Sequence, residues 1–143
     1  MALWTLKPYR LLVVDDFSDM RSYIRGMLAA YGAVDIRLPK NGDEAVTALQ
    51  AERHDLVLCD DNLGDGRDGQ QVLQQARHRG LLSRSNLFVM VTAENTADMV
   101  MGSLECQPDG TLSKPVTRAT LQVRLRKLLE KREELLDIYE AAD

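Results

Sequence analysis

The segment 55–62, with the sequence DLVLCDDN, is the feature that most constrains the fold of this chain. Four apolar residues in a row end in two acids and an amide. This pattern is typical of a buried parallel strand that delivers a carboxylate to the C-terminal edge of a sheet. We therefore expect the chemistry of the protein to centre on Asp60, the first of the two acids.

Three other apolar segments end in polar residues in the same way: 11–14 in Asp15 and Asp16, 87–91 in Thr92, and 111–113 in Lys114. In an open α/β sheet, ligands bind outside the carboxyl ends of the strands, so these four endings are predicted to meet in one crevice. Carboxylates, a hydroxyl and an ammonium in one crevice indicate a site for a metal ion and a phosphoryl group.

Strand and helix patterns alternate along the chain. A weaker strand is predicted over about 34–38. Apolar residues at helical spacing predict five helices, which begin at Ser18 or Asp19 as N-cap, begin after Asn41, span 70–79, span 96–105 and begin at Thr117. Five such repeats predict a parallel sheet with helices on both faces. Two topologies are open. The flavodoxin-like order 2-1-3-4-5 would place its switch point between the first and third strands, where Asp15, Asp16 and Asp60 lie.

Length and composition restrict the class of protein. A chain of 143 residues with 45% hydrophobic and 28% charged residues fits one globular domain. The net charge of −4 argues against nucleic acid as a direct partner. Residues 1–10 contain no apolar signal region and no apolar run is long enough to span a bilayer, so we expect no membrane association and a cytoplasmic protein. Cys59 and Cys106 lack metal-ligand spacing and are expected to be free thiols.

The final helix is longer than a small sheet needs, since it is predicted to run from Thr117 to about Tyr139. Apolar residues follow a 4-3 spacing that is interrupted at Arg132: Leu121, Leu125, Leu128, Leu135 and Tyr139. Three interpretations stay open for this pattern: a solvated helix, the seam of a homodimer, or a connector to further helical sequence. Outside these segments, His54 and His78 are expected to be surface residues without a catalytic role.

The predicted crevice contains the groups that phosphoryl transfer to a carboxylate requires. A carboxylate can attack phosphorus and form an acyl phosphate, but both reactants are anions. A hard divalent cation such as Mg²⁺, held by Asp15, Asp16 and Asp60, would reduce this repulsion. Lys114 would supply a fixed positive charge and Thr92 a hydroxyl donor, and such positioning is most of what the reaction needs.

Four motifs together resemble the receiver domain of two-component response regulators, notably the chemotaxis type: LVVDDFS at 12–18, DLVLCDDNL at 55–63, VTAE at 91–94 and LSKP at 112–115. The resemblance covers residues 9–130, which we interpret as the receiver domain. It implies an α/β flavodoxin-like (βα)5 three-layer sandwich with sheet order 2-1-3-4-5. Residues 131–143 would then be a C-terminal helical extension and a possible linker to an output domain.

The resemblance also implies a role for each residue. Asp60 would be the phosphoacceptor, phosphorylated by a histidine kinase or a phosphotransfer protein and passing the signal to an unknown output domain or protein. Mg²⁺ would be held by Asp16 directly, by Asp15 through water, by Asp60 and by the backbone carbonyl of Asn62. Thr92 would be the switch hydroxyl that moves to the phosphoryl group. Lys114 would be the lysine that pairs with the phosphoryl group, followed by a cis Lys114–Pro115 peptide. Asn62 and Glu94 would tune dephosphorylation.

Three features depart from the receiver pattern. The position three residues before the lysine, usually aromatic, is Thr111, so the aromatic half of the usual switch is absent. The proline usually found four residues after the phosphoacceptor is Gly64, which predicts a more flexible loop over 64–69. The final helix also continues past the usual end of the domain.

The sequence has two alternative interpretations besides a signalling receiver. A haloacid-dehalogenase-type aspartyl phosphatase also uses an Asp nucleophile at a strand end, but it requires an acid two residues later, where this chain has Asn62. A scaffold without phosphorylation has no physical need of all five residues Asp15, Asp16, Asp60, Thr92 and Lys114. We therefore expect a signalling module that catalyses only its own phosphorylation and dephosphorylation.

Overall fold

The computed structural model describes residues 4–64, 68–83, 85–93 and 107–142, with side chains as far as residue 134. Within these ranges strands and helices alternate, with the following bounds: β1 (Arg10–Val14), α1 (Ser18–Ala30), β2 (Asp35–Arg37), α2 (Gly42–Ala51), β3 (Leu56–Asp60), α3 (Gly69–His78), β4 (Leu87–Thr92), β5 (Gly110–Ser113) and α4 (Arg118–Ala142). The helix predicted over 96–105 lies outside the described residues. In the part that is described, no helix is both long enough and apolar enough to cross a bilayer.

The strands form a parallel sheet in the order β2-β1-β3-β4-β5, which confirms the predicted 2-1-3-4-5 topology. The central strands end level with one another, because Val14 pairs with Cys59 and Asp60 pairs with Val91. Thr92 in turn pairs with Ser113, the last residue of β5. The polar residues at these strand ends therefore lie along the same edge of the sheet.

Hydrophobic side chains of the strands alternate between the two faces of the sheet, as the pleat requires. One face packs against α1 and α4 through residues that include Val13, Leu58, Val89, Ile24 and Leu125. The other face packs against α2 and α3 through residues that include Leu12, Val57, Phe88, Leu49 and Leu73. These two cores confirm the predicted three-layer sandwich.

Two of the predicted helix starts are confirmed and one is wrong. The Asn41 side chain caps α2 by accepting from the Glu44 N–H at 2.8 Å, and Thr117 accepts from the Thr120 N–H at 3.2 Å before α4. For α1, however, the N-cap is Phe17 and not Ser18 or Asp19. The reason is the carboxylate of Asp15, which accepts from the Phe17 N–H at 2.9 Å and fixes the turn into the helix.

The apolar stripe of α4 is used within the domain. Leu121, Leu125 and Leu129 are buried in the core against the sheet, whereas Leu128 is only partly buried. The predicted dimer seam is therefore wrong for Leu121 and Leu125, because these side chains already cover one face of the sheet. Leu135 and Tyr139, the remaining members of the predicted seam, lie among residues whose side chains are not described.

α4 continues without a break past residue 130 and is fastened to the edge of the sheet opposite Asp60. Arg132 interrupts the apolar spacing because it forms an ion pair, with its Nη2 atom 2.8 Å from Oδ1 of Asp55 at the start of β3. Its guanidinium carbon lies 5.5 Å from the ring centroid of Tyr9. The Tyr9 hydroxyl donates to Glu133 at 3.3 Å.

His54 is buried, so the prediction that it lies on the surface is wrong; His78, at the end of α3, is exposed as predicted. Nδ1 of His54 lies 3.1 Å from the carbonyl oxygen of Glu52. Burial lowers the pKa of His54 below its ordinary value. His54 is thus a neutral core residue beneath the connection from α2 to β3.

Candidate functional site

The predicted crevice exists at the C-terminal edge of the sheet. Asp15 and Asp16 follow β1, Asp60 ends β3, Thr92 ends β4 and Lys114 follows β5. The structure places Asp15, Asp16 and Lys114 around Asp60, and Thr92 against the adjacent Asp61. This follows because the central strands are in register and end at the same level. The Lys114–Pro115 peptide is cis, as the resemblance implied.

Asp60 lies at the centre of the site and is only 3% exposed. Its Oδ2 atom accepts from Lys114 Nζ at 2.8 Å, and its Oδ1 atom accepts from the Asn62 N–H at 3.0 Å. Burial raises the pKa of Asp60, but the hydrogen bonds from Lys114 and Asn62 outweigh it, so the pKa lies below its ordinary value. The same contact with Asp60 raises the pKa of Lys114 against the opposing effect of burial. Asp60 is thus held as an anion at neutral pH.

Asp15, Asp16 and Asp60 form a cluster in which one oxygen from each carboxylate lies within 4.8 Å of the others. Asp15 is 1% exposed, and Asp16 faces solvent. Burial raises the pKa of Asp15 to about 6, with the negative charge of Asp60 adding to the effect. The cluster therefore carries more negative charge than Lys114 balances.

This donor set fits a magnesium ion. Mg²⁺ prefers oxygen ligands, takes a small number of carboxylates and keeps several waters. Two buried carboxylates and an exposed one supply the oxygens, and the exposed side of Asp16 leaves room for water. Burial is the main cause of the raised pKa of Asp15, and a divalent cation would oppose the smaller contribution from the negative charge of Asp60.

Asn62 and Gly64 shape the loop after β3. Besides its N–H contact with Asp60, Asn62 accepts from the Gly64 N–H through its side-chain oxygen at 3.0 Å. Gly64 has φ +74°, which a proline ring cannot adopt, so the departure from the receiver pattern at this position has a geometric reason. A Cβ atom on Gly64 would lie 3.1 Å from Oδ2 of Asp16, so the glycine also leaves space for the acidic cluster.

Thr92 is fully buried, and its hydroxyl donates to Oδ2 of Asp61 at 2.9 Å. Asp61 was not among the predicted site residues. Burial raises the pKa of Asp61, and the neighbouring Asp60 adds to this shift although the hydrogen bond from Thr92 opposes it. The available signal was a second acid directly after Asp60, which an apolar strand ending does not require.

Thr111 and Glu94, two other predicted residues, lie differently. Thr111 lies on β5 and pairs with Met90 of β4. It also lines a surface cavity of about 560 Å³ together with residues of β5 and α4, among them Ser113, Thr120, Val123, Arg124 and Lys127. Glu94 lies outside the described residues, so its predicted effect on dephosphorylation stays a prediction.

Comparison with known proteins identifies a family. The family model described as the response regulator receiver domain matches residues 11–126. Chemotaxis protein CheY-3 of Vibrio cholerae is 30% identical over 125 residues, which cover 87% of this chain and 95% of that protein. Chemotaxis protein CheY of Pseudomonas aeruginosa is 29% identical, with 85% of this chain and 97% of that protein covered.

Solved structures show the same fold. Chemotaxis protein CheY4 of Vibrio cholerae superposes with a TM-score of 0.76 at 23% identity, covering 85% of this chain and 98% of the other. A CheY-like receiver domain protein of Methanospirillum hungatei gives a TM-score of 0.77 at 23% identity, covering 88% of this chain and 97% of the other.

The haloacid-dehalogenase alternative finds no support in these comparisons, and position 62 is an amide where that reaction needs an acid. The family model and the relatives instead match a receiver domain, and the solved structures share the observed fold. The chain belongs to the response regulator receiver domain family, as a CheY-like receiver domain of two-component signalling.

Proposed function

We propose that Asp60 is the phosphoacceptor and that the receiver takes its phosphoryl group from a phosphohistidine. The observation that carries this proposal is the position of Asp60: its carboxylate contacts Lys114 at 2.8 Å and shares a cluster with Asp15 and Asp16. Asp60 therefore lies between the ammonium of Lys114 and the oxygens that would hold a metal ion. These two positive charges would together stabilise the negative oxygens of a phosphoryl group on Asp60.

In the proposed reaction a carboxylate oxygen of Asp60 forms a bond to phosphorus while the bond from phosphorus to the histidine nitrogen breaks. The electron pair of that bond stays on the nitrogen, and because the other ring nitrogen of the phosphohistidine carries a proton, the ring leaves as neutral imidazole. Lys114 neutralises negative charge on the acceptor side throughout. The product is an acyl phosphate on Asp60.

Mg²⁺ is the proposed cofactor, held by Asp15, Asp16 and Asp60 together with the backbone carbonyl of Asn62. When bound, it supplies positive charge that lets the anionic phosphoryl group approach Asp60. The support for this part is the donor set itself and the raised pKa of Asp15.

The test of the phosphoacceptor is incubation with acetyl phosphate and Mg²⁺, followed by mass spectrometry of the intact protein. We expect the wild type to gain the mass of one phosphoryl group and Asp60→Asn to gain none. Asp43→Asn, an exposed acid in the first turn of α2, is the matched control and should be phosphorylated normally. A phosphorylated Asp60→Asn variant, or a wild type that turns over a phosphate ester many times, would contradict the proposal.

The proposed phosphodonor in the cell is a histidine kinase or a phosphotransfer protein, and the phosphorylated domain controls an output domain or protein. Thr92 is proposed as the switch hydroxyl, with Thr111 in place of the usual aromatic partner. Asn62 and Glu94 are proposed to set the lifetime of the phosphoryl group. Decay rates of the acyl phosphate in Asn62→Ala and Glu94→Ala test this last assignment, and unchanged rates in both would remove it.

We keep the division into a receiver domain at 9–130 and a helical extension at 131–143 as a proposal, with the extension as a connector or a homodimer contact. A dimer contact through the apolar stripe of α4 would have to use Leu128 or residues beyond Leu129, because Leu121, Leu125 and Leu129 are buried in the core. Sedimentation of the protein with and without beryllium fluoride tests the dimer, and a monomer in both conditions would exclude it.

A further inference from the structure

The hydroxyl of Thr92 is directed at an acid other than the proposed phosphoacceptor. Its Oγ1 atom donates to Oδ2 of Asp61 at 2.9 Å, in the interior of the site where Thr92 has no exposed surface. A carboxylate is a strong acceptor for a hydroxyl, and the bond is stronger when the pair is shielded from water. The structure thus shows Thr92 in one defined arrangement, facing Asp61.

Asp61 is held in place by its backbone. Its N–H donates to the Val91 carbonyl at 3.0 Å, and its own carbonyl accepts from the Gly69 N–H at 3.0 Å. The start of α3 packs closely against this residue, since a Cβ atom on Gly69 would lie 2.9 Å from Cα of Asp61. The Asp61 carboxylate therefore cannot move away from Thr92 by a simple shift of the loop.

We propose that Asp61 is a positioning residue that holds Thr92 in the unphosphorylated arrangement and competes with the phosphoryl group for its hydroxyl. This inference rests on the proposed function, in which Asp60 carries the phosphoryl group and Thr92 is the switch. A hydroxyl has one hydrogen, so a bond to Asp61 and a bond to a phosphoryl oxygen are alternatives. The bond to Asp61 thereby sets the fraction of molecules in which the Thr92 hydroxyl is available to a phosphoryl group.

The competition has a measurable consequence. The apparent affinity for a phosphoryl group is reduced by the fraction of molecules in the competent arrangement. Removing the acceptor at Asp61 should release Thr92 and strengthen binding of a phosphoryl analogue by about tenfold, the size of effect expected from one charge-assisted hydrogen bond. The effect should vanish when position 92 has no hydroxyl.

The experiment is a double-mutant cycle with beryllium fluoride and Mg²⁺ as the probe, measured by isothermal titration calorimetry. Asp61→Ala is compared with the wild type, and the same change is made in Thr92→Ala and in Thr92→Ser. We expect Asp61→Ala to tighten binding of beryllium fluoride about tenfold when position 92 is Thr or Ser, and to have no effect when position 92 is Ala. Thermal unfolding without the probe checks that each variant is folded.

The cycle separates a positioning role from a simple effect of charge. If Asp61→Ala tightens binding equally with and without a hydroxyl at position 92, Asp61 acts by repelling the anionic probe, and the proposal is overturned. Unchanged or weakened binding in the Thr92 background overturns it as well. A wild type that binds beryllium fluoride no better than Asp60→Asn would reject the proposed function too, whereas normal wild-type binding without coupling rejects the role of Asp61 alone.

Discussion

Arg132, near the end of the described side chains of α4, lies 2.8 Å from Asp55 at the start of β3, although 77 residues separate them in the sequence. The Arg132 side chain is only 11% exposed, and Asp55 also accepts from the Arg10 N–H at 2.7 Å. Nε and Nη1 of Arg132 are buried without a hydrogen-bond partner among the described residues. The pair is therefore well shielded from solvent.

This burial predicts that Arg132→Ala destabilises the domain by about 2 kcal/mol, because the Asp55 carboxylate loses its cation while it stays largely shielded. Arg126→Ala is the matched control, since Arg126 forms an exposed pair with Glu130 on the same helix and should cost at most about 0.5 kcal/mol. Urea unfolding of both variants measures the difference. Equal losses would show that the contact with Asp55 contributes little.

Gly64→Ala should weaken magnesium binding, because the added Cβ would lie 3.1 Å from Oδ2 of Asp16. We expect roughly a fivefold loss in Mg²⁺ affinity, about 1 kcal/mol. Gly80→Ala is the control: Gly80 also has positive φ, at +69°, but a Cβ there meets nothing within 4 Å. Both changes should cost about 1 kcal/mol of stability from the left-handed backbone, but only Gly64→Ala should alter Mg²⁺ binding in a calorimetric titration.

Lys114→Met should change two affinities in opposite directions. Loss of the ammonium that contacts Asp60 removes a positive charge that competes with the metal, so Mg²⁺ should bind about threefold to tenfold more tightly. Binding of beryllium fluoride should weaken by at least about tenfold, because its fluorines lose a charge-assisted donor. Lys7→Met, an exposed residue before β1, should change neither. A fall in both affinities would contradict this prediction.

His54 predicts a dependence of stability on pH. The pKa of His54 is lowered by burial in the folded protein and is about 6.5 when unfolded. Above pH 6.5 the ring is neutral in both states. Below it the unfolded chain binds a proton first, so the free energy of unfolding falls with falling pH until the folded ring titrates.

His54→Gln should remove this contribution, so that the difference in unfolding free energy between the wild type and the variant changes as the pH is lowered from 8 to about 5. Asp15, whose pKa is raised to about 6, acts with the opposite sign in the same range, but its effect is common to both proteins and cancels in the difference. The exposed His78 supplies the control His78→Gln. A difference that does not vary with pH for His54→Gln would be the contrary result.

Much of the fold follows from local patterns. Strands that end in acids, a hydroxyl or an ammonium identify both the sheet and its functional edge, because burial requires the apolar run and the edge permits the polar ending. The helix starts at Asn41 and Thr117 were predictable because capping is a local contact, in which each side chain accepts from an N–H three residues later.

Three of the errors have a common physical cause, which is contact between residues far apart in sequence. Nothing near Arg132 indicates that its partner is Asp55, so it looked like an interruption in an apolar seam. His54 looked exposed because polar residues lie around it, yet the packing of the chain buries it. Asp61 was overlooked because its contact with Thr92 arises only when β3 and β4 lie side by side.

β3 is flanked by two acids, Asp60 as its last residue and Asp55 directly before its first, and each forms an ion pair with a cation from the last third of the chain. Lys114 precedes α4 and Arg132 lies on it, so one continuous stretch is pinned at two points along the strand. Sliding α4 by a single turn, about 5.4 Å, would separate Arg132 from Asp55 and strain the three residues that join Lys114 to the helix. The two ion pairs consequently fix the position of α4 along the sheet.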